Sequence, residues 1–199
     1  MRLLVATENE GKIREIKEIT KGLVEILTPL DIGLKLNILE DGLTLQDNSL
    51  KKALTYFQKT KICTIGEDTG LFVKALGGAP GVYAARYGGS GDASNRKRLL
   101  SELKGKNNRE AYFKTVIAFV ITEKWIEFFE GEVKGRITEK EIGEKGFGYD
   151  SVFMPLGYTK TFGEMNEEEK NKISHRRIAL EKLINYIYTN REKIEEFCK

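Results

Sequence analysis

The stretch Arg2-Leu3-Leu4-Val5-Ala6-Thr7-Glu8-Asn9-Glu10-Gly11-Lys12-Ile13-Arg14-Glu15-Ile16-Lys17-Glu18-Ile19-Thr20 decides the architecture. Arg2 to Ala6 is a short apolar run of strand length, and Ile13, Ile16 and Ile19 recur at helical spacing across Lys12 to Thr20. The chain therefore opens strand, polar loop, helix. Working outward, Val24 to Leu27 reads as a second strand. Gln46 to Lys59 reads as a helix, because Leu50, Ala53, Leu54 and Phe57 fall at i, i+3, i+4 and i+7. Ile62 to Gly66 is a buried strand candidate, and the glycine-rich segment Gly77 to Gly91 leads to a helix carrying Leu99, Leu100 and Leu103. Ala111 to Thr122 and Ile126 to Ile137 are rich in aromatic and β-branched residues, and the break Glu123-Lys124 predicts an antiparallel hairpin. Asn166 with Glu169 has the spacing of a capping box, and Ser174 caps a last helix striped with Leu180, Leu183, Ile184 and Ile187. Alternating strands and helices with one hairpin predict an α/β fold around a mixed sheet.

Composition bounds the function. The chain has 199 residues, 40% of them apolar and 32% charged, which is a globular balance. Against 33 basic side chains stand 30 acidic ones, a net charge of +3, so no strongly basic surface for wholesale duplex binding is expected. The longest apolar run, Val116 to Ile121, is six residues, against roughly 20 for a membrane-spanning helix. Charged residues at Arg2, Glu8 and Glu10 leave no apolar core for a signal peptide, and a cytoplasmic protein is expected. The two cysteines, Cys63 and Cys198, allow at most one bridge, lack zinc-ligand spacing and fit a reducing compartment. His175 is the only histidine. Multi-histidine metal sites are excluded, and any metal must be held by carboxylates, favouring Mg²⁺ or Mn²⁺.

Six segments carry candidate chemistry. Thr7-Glu8-Asn9-Glu10-Gly11-Lys12 lies between strand and helix, where free backbone N–H groups and the helix dipole attract phosphate; the alternative is a polar turn with a cap. In Gly66-Glu67-Asp68-Thr69-Gly70, at the end of an apolar strand, alternation sends Glu67 and Asp68 to opposite faces. Asp68 shares its face with the small residues Thr64 and Gly66 and is the better site residue. Asn48 and Lys52 lie one turn apart on a helix, ordinarily a solvated face. Gly77 to Tyr87 fails the dinucleotide fingerprint. In Gly146-Phe147-Gly148-Tyr149-Asp150 an aromatic ring between glycines can stack on a base, with an acid following that can accept from a base N–H. Lys170 and Ser174-His175-Arg176-Arg177 concentrate donors. The basic run from Ser94 to Arg109 is most simply a solvated face.

Five of these blocks, Leu4 to Lys12, Glu67 to Leu71, Ala75 to Tyr83, Gly146 to Asp150 and Ser174 to Arg176, together resemble the inosine triphosphate pyrophosphatase family, also called Ham1-like or XTP/dITP diphosphatases, over nearly the whole chain. The resemblance implies an elongated mixed sheet flanked by helices, two lobes about a deep central cleft within one domain spanning 1–199, and a homodimer. It implies Mg²⁺-dependent hydrolysis, with Mn²⁺ as a possible substitute, of ITP, dITP or XTP to the monophosphate and pyrophosphate. By that match Thr7, Glu8, Asn9, Glu10, Gly11 and Lys12 bind the triphosphate, with Lys52, Thr69 and Lys170 alongside. Asp68 accepts the proton and holds the metal with Glu40. Phe147, Gly148, Tyr149, Asp150, His175 and Arg176 receive the base. Glu8 stands where the family usually has a small residue, placing a carboxylate beside phosphate. Competing readings are a Maf-like nucleotide pyrophosphatase and a non-catalytic nucleotide- or RNA-binding module.

Overall fold

A computed structural model describes residues 1–89 and 91–198. Strand β1 (Arg2–Val5) leads to helix α1 (Glu10–Ile19), whose Asn9 side chain accepts from the Lys12 N–H at 3.0 Å and so satisfies one free donor of the first turn. Strand β2 (Glu25–Leu27) precedes helix α2 (Leu45–Thr60), opened by a capping box between Thr44 and Asp47. Strand β3 (Thr64–Val73) follows, then the short β4 (Pro80–Gly81) and helix α3 (Asp92–Glu102). The two long strands β5 (Glu110–Thr122) and β6 (Trp125–Ile137) are sheet neighbours separated by Glu123-Lys124. Strand β7 (Phe153–Pro155), helix α4 (Glu167–Asn171), helix α5 (His175–Thr189) and helix α6 (Arg191–Glu195) complete the order.

Hydrogen bonding orders the strands β2-β1-β3-β5-β6-β7 in one mixed sheet, with β4 paired to β3. Strand β1 is parallel to β2, Leu3 opposite Ile26, and to β3, Leu4 opposite Thr64. Strand β4 runs antiparallel to β3, and β7 antiparallel to β6. The α/β class and the mixed sheet expected from the sequence are both present.

The chain divides into two compact units. The first comprises residues 1–68, 115–131 and 176–199. Its core joins Leu3 and Val5 of β1, Ile16 of α1, Ile65 of β3, Ile117 and Phe119 of β5, and Leu180 and Leu183 of α5. The second comprises residues 69–114 and 132–175, and its core joins Leu71, Leu99, Phe113, Ile137, Phe153 and Phe162.

Two features differ from the sequence reading. Strand β3 does not stop at Gly66 but continues to Val73, so Glu67 and Asp68 lie mid-strand. Both are buried, and each has cationic partners that offset the cost of removing a charge from water. The cysteines, taken as fitting a reducing compartment, are paired. Cys63, one residue before β3, and Cys198, beyond α6, form a disulfide with Cα atoms 5.4 Å apart across 135 residues of sequence. That separation gave no local signal.

Candidate active site

The first unit builds a cluster around Asp68 from a close packing of helix on strand. A Cβ on Gly66 would lie 2.1 Å from the Ser49 carbonyl oxygen and 2.7 Å from the Ala53 nitrogen, so only glycine lets α2 settle this closely on β3. Asn48 and Lys52, one turn apart on α2, are consequently buried rather than solvated. Asn48 donates from its amide to Asp68 Oδ2 at 3.1 Å, while its oxygen accepts the Gly42 N–H at 2.8 Å. One side chain thus joins the segment carrying Glu40 to the strand carrying Asp68. Lys52 Nζ lies 2.9 Å from Glu40 Oε2 and 3.3 Å from Asp68 Oδ1. Burial pushes the Asp68 carboxyl above its ordinary pKa despite Lys52 and Lys12, with Glu40 adding repulsion. For Glu40, burial also opposes ionisation, but the charge and hydrogen bond of Lys52, together with Lys12 and a hydrogen bond with Asp68, hold the carboxyl below its usual value.

Glu67, which alternation places on the other face of β3, has ion-pair partners of its own, while Lys12 acts on both carboxylates. Arg176 donates to both its oxygens, Nε to Oε2 at 2.7 Å and Nη2 to Oε1 at 2.8 Å, and also binds Glu15 of α1. Lys12 Nζ stands 3.4 Å from Glu67 Oε1. Burial lowers the Lys12 pKa although Glu67 opposes the shift. Arg176 is raised instead: burial would lower it, but Glu67 and Glu15 prevail. The direct contacts of Asp68 come from α2 and from Glu40, and those of Glu67 from α1 and α5, with the charge of Lys12 felt by both. In the Thr7 to Lys12 loop, Asn9 serves as the cap and its N–H donates to Thr7 Oγ1 at 3.2 Å. The carboxylate of Glu8 is offset by Lys35 at 2.8 Å.

The second unit builds an aromatic loop. Asp150, expected to accept from a base, is buried and accepts from the protein itself: from the Phe147 N–H of its own loop at 2.9 Å and from Lys170 Nζ of α4 at 2.6 Å. Lys170 also lies 4.7 Å from the centre of the Phe147 ring, within cation–π range. Tyr149 is a core residue whose hydroxyl donates to the Ala84 carbonyl at 2.7 Å. His175 stacks on Phe113 with ring centres 4.6 Å apart. Of the proposed donors, Lys170 and His175 are therefore held against aromatic surface, whereas Arg176 is committed to carboxylates. The side-chain amide of Asn171, buried beside Lys170 in sequence, has no hydrogen-bond partner among the described residues.

The basic run from Ser94 to Arg109 is less free than its composition predicts. Arg96 pairs with Glu141, Arg98 with Glu102, and Arg109 donates to the carbonyls of Leu103, Ile137 and Thr138. Sequence reasoning weighed Asn48 and Glu67 but set them aside, the first as a solvated position and the second in favour of Asp68, and it did not consider Glu15. The Asn48/Lys52 spacing and the Glu67-Asp68 pair were local signals, but nothing local marked Glu15.

A strand-to-helix polar loop and a buried cluster of lysines and carboxylates in an α/β fold define a class of protein built to handle phosphorylated small molecules. Within that class the chain belongs to the Ham1 family, whose model matches residues 3–186. It is 44% identical to the dITP/XTP pyrophosphatase of Aquifex aeolicus, over 97% of this chain and 99% of that one. To the dITP/XTP pyrophosphatase of Thermoanaerobacter pseudethanolicus it is 46% identical, over 97% and 100%. Among solved structures, the Ham1 protein of Staphylococcus aureus superposes with a TM-score of 0.85 at 32% identity, over 96% of this chain and all of that one.

Proposed function

We propose that this protein hydrolyses non-standard purine nucleoside triphosphates, ITP, dITP and XTP, to the monophosphate and pyrophosphate, clearing deaminated purines from the nucleotide pool. The observation that carries this reading is Asp68: a buried carboxylate with a raised pKa, fixed by Asn48 and Lys52 beside a second carboxylate. Family membership and the names of the relatives support it.

Asp68 takes a proton from the water that attacks the α-phosphorus, and the bond to the bridging oxygen breaks to release pyrophosphate. A carboxyl raised toward working pH is a stronger base than an ordinary one and suits this task. The Thr7 to Lys12 backbone, Lys12, Lys52 and Lys170 meet phosphate charge. Glu40 and Asp68 converge on one cation, the Lys52 ammonium, so their oxygens have the chemistry and placement to share a hard divalent ion. No group of three or more acidic, histidine or cysteine side chains suited to a metal occurs among the described residues. Two carboxylates suit Mg²⁺, with Mn²⁺ as substitute, because that ion completes its shell with water and substrate phosphates. Bound there, it supplies charge neutralisation for the leaving pyrophosphate. Phe147 stacks on the base, and the donors around it meet the 6-keto oxygen of hypoxanthine or xanthine. Adenine's 6-amino group leaves such donors unpaired, at about 1 to 3 kcal/mol each. We read the chain as one catalytic unit, acting as a homodimer on a small-molecule nucleotide without nucleic acid; no helix among the described residues is long and apolar enough to cross a membrane.

The test is pyrophosphate release with Mg²⁺ from ITP, XTP, dITP, ATP and GTP, for the native protein and Asp68→Asn. Turnover of ITP or XTP that drops by about 10²- to 10⁴-fold in the variant, with nucleotide binding retained, is the expected result. Preference for other nucleotides would point to the Maf-like reading, and no turnover at all to a binding module.

A further inference from the structure

The loop that the proposed function assigns to the base is gripped by helix α3. Gly148 donates its N–H to Asp92 Oδ2 at 2.7 Å, and its carbonyl accepts from Arg96 Nη1 at 2.8 Å. Asp92 and Arg96 are four residues apart, hence neighbours on one helix face. One face of α3 thus holds both polar groups of the residue following Phe147.

The bracket is itself braced. Arg96 Nε donates to Glu141 Oε2 at 2.8 Å, and the same oxygen accepts the Ser151 hydroxyl at 3.2 Å. Gly148 has φ of +62°, yet a Cβ there would meet nothing within 4 Å. The glycine is required by its left-handed backbone, not by crowding, and it is this turn that the bracket holds. Lys170 and Asp150 secure the Phe147 end of the loop. Beside the bracket lies a cavity of about 370 Å³ lined by Asp92, Arg96, Glu141, Lys145, Phe147 and Asp150, room into which a released loop can move.

We propose that Asp92 and Arg96 are positioning residues that preset the pose of Phe147 and so set the affinity for the purine base. The inference rests on the proposed function. A stacking ring that is already placed pays less ordering entropy on binding, so the bracket acts on substrate affinity more than on the chemical step.

The experiment compares Asp92→Ala, Asp92→Asn, Arg96→Ala and the exposed control Lys97→Gln, reading kcat and KM for ITP, melting temperature, and amide exchange at Gly148. Both alanine variants are expected to raise KM about tenfold while kcat falls less than about threefold. The Gly148 amide should exchange faster in Asp92→Ala. Asp92→Asn keeps an acceptor oxygen and should return KM close to native, and Lys97→Gln should change nothing. KM near native in both alanine variants, or unchanged Gly148 exchange, would overturn the proposal. So would a parallel fall in kcat and melting temperature with KM preserved, the mark of a purely structural role. A native protein that turns over none of the purine triphosphates would overturn the proposed function itself. A native protein active on ITP with insensitive variants would overturn the bracket alone.

Discussion

Arg176 shows how much one side chain can be asked to hold. Its guanidinium is buried, binds Glu67 through two parallel hydrogen bonds and reaches Glu15, tying strand β3 to helices α1 and α5. The fork geometry of arginine matches a carboxylate in a way an ammonium cannot. Arg176→Leu leaves two buried carboxylates without their main countercharge, and removing one partner of such a group costs about 3 to 5 kcal/mol. Urea unfolding should show that loss as a lower midpoint with unchanged slope; a loss below about 1 kcal/mol would mean that water reaches the carboxylates. Glu15 lies 161 residues away in sequence and Glu67 109. No periodicity connects such distant residues. The sequence marked Arg176 as a donor but not what it donates to, whereas Asp68 was legible because strand parity is a local property.

At the scale of elements, the contact between α2 and β3 places the buried cluster of Asn48, Lys52 and Asp68. The helix was legible from its apolar stripe, and the structure extends it only by a residue at each end, Leu45 to Thr60. What the stripe could not show is how closely the helix approaches. Asn48 and Lys52 lie off the stripe and looked solvated, yet the missing side chain of Gly66 draws them inside. Gly66→Ala must push α2 away from β3, since the obstructing atoms are backbone. Overpacking of this kind costs about 1 to 3 kcal/mol, and here it should also separate Asn48 and Lys52 from Asp68. Pyrophosphate release should therefore fall more steeply than the melting temperature suggests. A variant that melts early but keeps its kcat would show that the approach serves stability alone. The strand end was misjudged for a related reason: adjacent acids imply a solvated turn unless their countercharges, which come from other elements, are known.

At the scale of the molecule, the disulfide closes most of the chain into a loop. Cross-linking over 135 residues restricts the unfolded ensemble, and such bridges contribute about 2 to 4 kcal/mol. Reduction, or the double variant Cys63→Ser with Cys198→Ser, should lower the melting temperature by roughly 5 to 15 °C for a chain of this size. An unchanged melting curve after verified reduction would show that the bridge does not constrain the unfolded chain. Composition and pattern were sufficient for the α/β class, since each unit fills its core from stripes visible in the sequence. The bridge escaped because two cysteines far apart carry no spacing to read.

Lys52, placed between Glu40 and Asp68, bears on the life of the protein before it meets a ligand. The chain carries its own counter-ion for the two carboxylates. Their mutual repulsion is offset from within, so the chain can fold with both acids in place before anything binds between them.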